Sequence, residues 1–538
     1  MTDSQRNIIF ITILFIFLLI WQSFELNNIK KNKINESKLY NLSNNFKKKI
    51  NKINNFIKVK TDVLSVLIDM NGGNIRDVFL LNYKDKIESL KPIHLLKCNK
   101  NFVYKANSEI KDISNKKINN KSKLYHSEKK NYVLNKKKNN LLVPIKYISP
   151  DGIIYKKVFL FKKNDFAIQV NHYINNKSKN SINVKFFGKL IQSYNLPIKN
   201  NKKLNKFSLH TYRGAAYSTD LNKYQKYSFD NIKNNNLKIK TNNGWIAMLQ
   251  QYFATAWIPL NSGTNTFYSK YYNKNYVSIG FRSSTIIIPP KSSYKFISKL
   301  WVGPEIQEKM KETAPYLDLT VDYGWLWFIS QPIFKLLKFI NYYVNNWGLS
   351  IILITLIIRI IMYPLTKSQY ISMAKIKILH PKLLFIREKF KNDKQKQSQE
   401  IIMLYKKEKV NPLGGCFPLI IQMPIFLSLY YVLSSSIELR HSPFYLWIYD
   451  LSDKDPLYIL PIFMGLTMFF IQKISPSTSS DQSQKKIMMF TPIIFIFFFL
   501  WFPSGLVLYY IVSNLITIIQ QYIIYKNLDK KGLNFWKK

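Results

Sequence analysis

A chain of 538 residues is too long for one hydrophobic core, and 80 Lys and Arg against 30 Asp and Glu give it a formal charge of +50. The lysines run through almost the whole length mixed with asparagine and isoleucine, as in 27–60 and 115–140, so they report compositional drift and not a surface for DNA. Two cysteines, Cys98 and Cys416, exclude a disulfide framework, and no P-loop, HExxH or GxSxG pattern supplies an enzyme signature.

Residues 1–24 hold the first apolar run, 8–24. The ELNNIK that follows offers no small-residue cleavage site, so the run reads as a retained signal-anchor helix. Residues 25–60 read as a polar tether. Across 61–323, short apolar or aromatic runs alternate with Gly, Pro, Asn and Asp clusters. Segments 63–68, 75–81, 153–161, 166–174, 182–187 and 285–288 are strand-like, with turns at Asn71-Gly72-Gly73 and Pro150-Asp151-Gly152. This predicts an all-β sandwich. In 324–346, Trp325, Phe328, Ile329, Ile333, Leu336, Leu337, Ile340 and Val344 recur at helical spacing, with Lys335, Lys338 and Asn341 on the other face. That pattern predicts an amphipathic helix lying in a membrane interface, with a break at Pro332.

Five further apolar segments, 347–366, 415–437, 457–473, 487–502 and 505–525, have lengths suited to crossing a bilayer. With the first they make six transmembrane helices and put both termini on one side. The 367–414 loop and the 526–538 tail are rich in lysine, whereas the 438–456 loop carries Arg440 and Lys454 against Glu438, Asp450, Asp453 and Asp455. Short basic loops stay in the cytoplasm, so the termini, 367–414 and the 474–486 loop are inside. The large 61–323 domain, which crosses largely regardless of charge, is outside.

Inside the basic loop, Ile376, Leu379, Leu383, Ile386 and Phe390 step by three and four residues, the a/d spacing of a coiled-coil seam. Asn392-Asp393 can turn the chain, Ile401, Leu404 and Tyr405 give a second helix a packing face, and Pro381 is expected to kink the first. The result is a basic helical hairpin suited to ribosomal RNA, anionic headgroups or a partner protein; the sequence does not choose among them.

One residue stands apart. Arg359 lies in an otherwise apolar helix, about 12 Å from Lys367 on a straight helical rise, and spans two to six contain no Asp, Glu or His to pair with it. A charge at mid-membrane costs from about 2.5 kcal/mol to 10 or more, depending on the method. Three arrangements relieve that cost: snorkelling to the headgroups, bonding to backbone carbonyls, or facing a wet cavity. Polar neighbours favour the cavity. Thr355 lies one turn away, Gln422 sits mid-span between two prolines, and Tyr510, Ser513, Asn514, Thr517, Gln520 and Gln521 form one stripe on the last helix. A stripe of this kind also serves as helix–helix glue. The lack of intramembrane carboxylates and histidines argues against an ion-coupled solute transporter.

Several long segments are familiar as words. LITLIIRIIMYPLT (353–366), KVNPLGGCFPLIIQMPIFLSLYY (409–431), PIFMGLTMFFIQKISP (461–476), FFLWFPSGLVLYYIVSNLITIIQQ (498–521), YRGAAYS (212–218) and GWIAMLQQYFATAWIP (244–259) closely resemble the YidC insertases of Gram-negative bacteria, within the YidC/Oxa family. The resemblance implies a bacterial inner-membrane protein with a periplasmic β-supersandwich, a five-helix core, and a groove open to cytoplasm and lipid but closed outside. It implies that Arg359 is the groove arginine, that Thr355 and Tyr510 line the groove, and that spans 415–437 and 487–502 form the slide on which client helices exit. It further implies insertion and folding of nascent membrane proteins, alone or with the Sec translocon, without cofactor, metal or catalytic residue. The short tail departs from the family's strongly basic ones, so ribosome contact falls mainly to the hairpin. The β domain also resembles sugar mutarotases, but spacing assigns no acid–base pair from His172 or His210.

Overall fold

The structure is a computed structural model that describes residues 55–89, 91–99, 102–113, 123–195, 212–261, 263–272, 275–408, 417–474 and 482–530. The expected anchor helix at 1–24 and His210 lie outside the described residues. The chain forms two units that meet in sequence between Asp322 and Tyr323.

Two antiparallel-rich sheets, of eleven and eight strands, make the first unit. Alternation builds them. In Ile182–Ser193 every second residue from Ile182 to Gln192 is buried, and that strand pairs with Val103–Asp112 on one side and Tyr276–Ser283 on the other. Strands Gly244–Gln250 and Phe253–Pro259 are buried almost continuously, placing Trp245 and Trp257 in the core near Trp301 of the neighbouring Ser293–Pro304. The turns expected at Gly72-Gly73 and Gly152 are present, and each of these glycines has a positive φ (88°, 60° and 81°) that a side chain would strain. Two short helices, α1 (Phe229–Asn234) and α2 (Gln307–Thr313), complete the unit. The expected tether needs correction at its end. Phe56–Lys60 is a strand, with Ile57 and Val59 buried between exposed lysines, and it pairs with Leu64–Asp69. Lysine-rich composition hid its period of two.

This unit seals two bases inside. Lys157 is 1% exposed and donates to Gly73 O and, at 3.2 Å, to Ser108 O; burial pulls its ammonium down to about 7, with Glu109 opposing. His172, also buried, lies 3.2 Å from Ser108 Oγ and is held well below the usual imidazole range, first by burial and then by Lys157 and Lys123. A histidine packed this way, against Phe186, is a core residue and not part of an acid–base pair open to sugar.

Helices make the second unit: α3 (Trp327–Val344), α4 (Trp347–Ile361), α5 (Tyr363–Lys389), α6 (Lys394–Lys407), α7 (Phe417–Ser435), α8 (Ile459–Ile474), α9 (Gln482–Phe499) and α10 (Ser504–Lys530). Of the described helices, α10 is by itself long and apolar enough to cross a membrane, and α4 with α5, bent by 62°, is a second such stretch.

The break expected at Pro332 is absent, and one unexpected break is present. Helix α3 runs through Pro332 and α5 through Pro381. The break falls instead at Met362, where Pro364 enters the first turn of α5 and cannot continue the α4 ladder. The helix expected over 347–366 therefore ends at Ile361, and the first half of α5 belongs to the bundle, where Tyr370 and Ala374 pack with Ile524, Tyr525 and Leu528 of α10. Helix α3 divides its apolar residues between two faces. Ser330, Phe334, Leu337 and Ile340 are buried, while Trp327, Phe328, Phe339, Tyr342 and Tyr343 are exposed.

Candidate functional site

Asn346 caps α4 by accepting the Leu349 N–H at 3.0 Å, and fifteen residues later the helix stops. Arg359 thus sits in the last turn of α4 and not deep in a longer helix. There the unsatisfied carbonyls of the helix end favour a cation by about 0.3–1 kcal/mol, which offsets part of the burial cost.

Half-buried, Arg359 reaches across to α10. Its Nε donates to Ser513 Oγ at 2.9 Å and its Nη2 donates to the same oxygen. Gln422 of α7 donates there too, Nε2 to Oγ at 3.2 Å. One hydroxyl oxygen with two lone pairs cannot serve three N–H donors well, so this cluster has donor capacity left over. Its bonding among the described residues is to a hydroxyl and not to a carboxylate.

The other candidates divide. Tyr510, partly buried, leans on Phe426 (5.9 Å between centroids) and Phe499 (5.3 Å), an aromatic wall one turn from Ser513. Thr517 returns its hydroxyl to Ser513 O at 2.8 Å. Thr355 is fully buried with its hydroxyl on Ile351 O at 2.5 Å, so it shapes the site without offering a free donor. Asn514 bonds a different helix. Its Nδ2 donates to Thr467 Oγ1 of α8 at 2.9 Å, a bond between helices; neighbouring residues on a helix point about 100° apart, so Ser513 and Asn514 face different partners. Thr467 was not legible as a partner, because its segment read as uniformly apolar.

The 438–456 segment, expected as a connecting loop, is a built element. Leu439, Ile448 and Leu451 are buried, and Phe444 fills the space beside Gly348, where a Cβ would come within 2.0 Å of the ring. Asp450 accepts from the His441 N–H, the Ser452 N–H and the Ser452 hydroxyl at 3.1, 2.8 and 2.7 Å. Asp455, 1% exposed, accepts from Trp447 Nε1 and the Leu457 and Leu460 N–H groups at 3.0, 3.1 and 2.7 Å. At the start of α10, Ser504 and Gly505 donate to Asp453 O and Leu451 O. These bonds tie the 438–456 segment to the start of α10.

At the other end, α5 and α6 form the hairpin. Ile376 and Leu379 pack with Tyr405, Leu383 and Ile401 are buried, and Ile386 and Phe390 are partly covered. Asp393 caps α6, and Lys382 meets Glu408 at 2.9 Å.

The family model described as 60Kd inner membrane protein matches residues 339–531, and that of the YidC periplasmic domain matches residues 56–336. The chain belongs to the YidC family. Membrane protein insertase YidC of Buchnera aphidicola subsp. Acyrthosiphon pisum, strain 5A, is 54% identical over 532 residues, covering 98% of this chain and 99% of that protein; the strain Tuc7 protein gives the same figures. A crystal structure of an active YidC insertase with its first transmembrane domain resolved is 18% identical, covers 88% of this chain and 93% of its own, and superposes with a TM-score of 0.39. The all-β unit is thus the family's periplasmic domain, and the family's setting is the inner membrane.

Proposed function

We propose that this chain is a membrane protein insertase and folding chaperone of the bacterial inner membrane, acting through a hydrated groove around Arg359. The carrying observation is a half-buried guanidinium held by a hydroxyl and a neighbouring amide, with N–H capacity to spare. Water reaching this cluster from the hairpin end shortens the hydrocarbon that a client's polar tail must cross. Arg359 attracts acidic groups on that tail, while the client's apolar helix partitions sideways into lipid at about 25 cal/mol per Å² of apolar surface removed from water. The 438–456 element is the outer floor that keeps the groove from becoming a pore.

In this reading the chain crosses six times with both termini cytoplasmic, and the aromatic face of α3 rests in the outer interface. The clients are nascent membrane proteins, inserted alone or with the Sec translocon. The basic hairpin meets the ribosome, with a weak contribution from the tail.

Purified protein in liposomes tests the proposal. It should speed protease-protected integration of a single-span client, and Arg359→Ala should impair clients with acidic translocated tails more than those with neutral tails. Equal insertion of both client types by the variant removes Arg359 from the mechanism. Saturable solute flux without client integration would favour a transporter.

A further inference from the structure

The 438–456 element carries a feature that closing the bundle does not require. Its carboxylates Asp450 and Asp455 are spent on holding the loop, and what it shows outward is mostly apolar or aromatic: Tyr445, Leu446, Tyr449, Leu457 and Tyr458 are all exposed. Leu446 stands at the tip of a turn closed by the Ile448 N–H on Tyr445 O, with φ 60° and 81% of its surface exposed. A leucine gains nothing from the left-handed region and nothing from water, so both local conformation and solvation argue against it there. Asparagine or glycine would suit a merely structural turn better.

We infer that this turn is an anchor in the outer leaflet, with Leu446 dipping past the headgroups and Tyr445, Tyr449 and Tyr458 at headgroup level. The occupant is identified by continuity: the element is joined directly to α7, which ends at Ser435, and to α8, which begins at Ile459. Both are apolar helices of the proposed bundle, so the loop between them lies at the bilayer surface. Tyrosines with one apolar and one polar end suit that depth. Lys454 adds a headgroup partner, its ammonium 3.2 Å from the Tyr458 hydroxyl and over that ring at 5.6 Å. Asp453 is exposed beside it, with its Oδ1 taken by the Lys454 N–H. The rigid hydrogen bonding of Asp450 and Asp455 fixes the depth of the anchor, and with it the level at which the closed floor sits. This inference rests on the membrane-spanning reading above.

The test uses full-length protein with Cys98→Ser and Cys416→Ser, in phosphatidylcholine–phosphatidylglycerol liposomes. An environment-sensitive NBD probe is placed in turn at Leu446→Cys, at Leu466→Cys within α8, and at the exposed Val133→Cys of the β unit. The anchor predicts that the probe at 446 is quenched by lipids spin-labelled high on the acyl chain, and is quenched by iodide about fivefold less than the probe at 133. Adding Leu446→Asn, which suits the left-handed turn, should leave the fold intact yet raise iodide access of a probe at Tyr449→Cys roughly twofold. If 466 is quenched by lipid but 446 is open to iodide, the anchor is overturned and the insertase reading stands. Shielding of 446 from both quenchers means that protein covers it, which also overturns the anchor. Failure of lipid quenching at 466 overturns the spanning reading and the anchor together.

Discussion

Ser513→Ala deletes the oxygen on which Arg359 and Gln422 converge. A hydrogen bond to a charged group contributes about 1.5–3 kcal/mol. Because Arg359 is only partly buried, the lower end applies, and about 1.4 kcal/mol is a factor of ten in an equilibrium. Without the serine, the flexible arginine side chain should swing toward the headgroups, and its time over the groove should fall about tenfold. The assay is the initial rate of protease-protected integration into proteoliposomes for two versions of one single-span client, one with two aspartates in its translocated tail and one with asparagines. The acidic client should slow by about tenfold and the neutral one by less than about threefold, with unchanged melting of the purified variant in detergent. If both clients insert at wild-type rates, Ser513 does not position Arg359 and the shared-oxygen geometry is irrelevant to insertion.

Asn514→Ala should behave differently: a double-mutant cycle with Thr467→Ala should return a coupling of about 0.6–2 kcal/mol in stability, with no change in the preference between acidic and neutral clients. Gly348→Ala should push Phe444 out of its seat, cost about 1–3 kcal/mol, and make the 438–456 segment sensitive to externally added protease. In the β unit, the folded pKa of Lys157 lies near 7 against an ordinary 10.5. Between those values the unfolded chain binds the extra proton, so stability rises with pH from about 7 to 10, with a slope approaching 1.4 kcal/mol per unit from this group. Urea unfolding of intact protein, followed by its buried tryptophans, should show that rise, and Lys157→Met should flatten it; an unchanged slope in the variant would mean that Lys157 is not the titrating group.

Much of this architecture was written in local patterns. Alternation gave the strands flanking Gly72-Gly73 and Gly152, and the three-and-four spacing of Ile376, Leu379 and Leu383 gave the hairpin seam, because burial on one face imprints a period on the chain. Arg359, Gln422 and Ser513 could be nominated from polarity alone, yet their convergence on one oxygen depends on how three helices pack. The bond from Asn514 to Thr467 was out of reach for the same reason: a polar stripe says that a helix has polar partners and not which neighbour supplies them. Prolines misled in both directions: Pro332 sits inside a helix where a break was expected, while Pro364 marks the real break beside Met362. The 438–456 element was missed because buried carboxylates serving as backbone acceptors look, in sequence, like ordinary charge in a loop.

The break at Met362 has a mechanical consequence. Only this residue separates the turn carrying Arg359 from the long arm of the hairpin, and its N–H still bonds Ile358 O at 2.9 Å, so the joint is short and stiff. A load pressing on the hairpin tip, more than twenty residues away, meets first the packing of Tyr370 and Ala374 on α10, so the same clamp that steadies the arm shields the turn carrying the guanidinium.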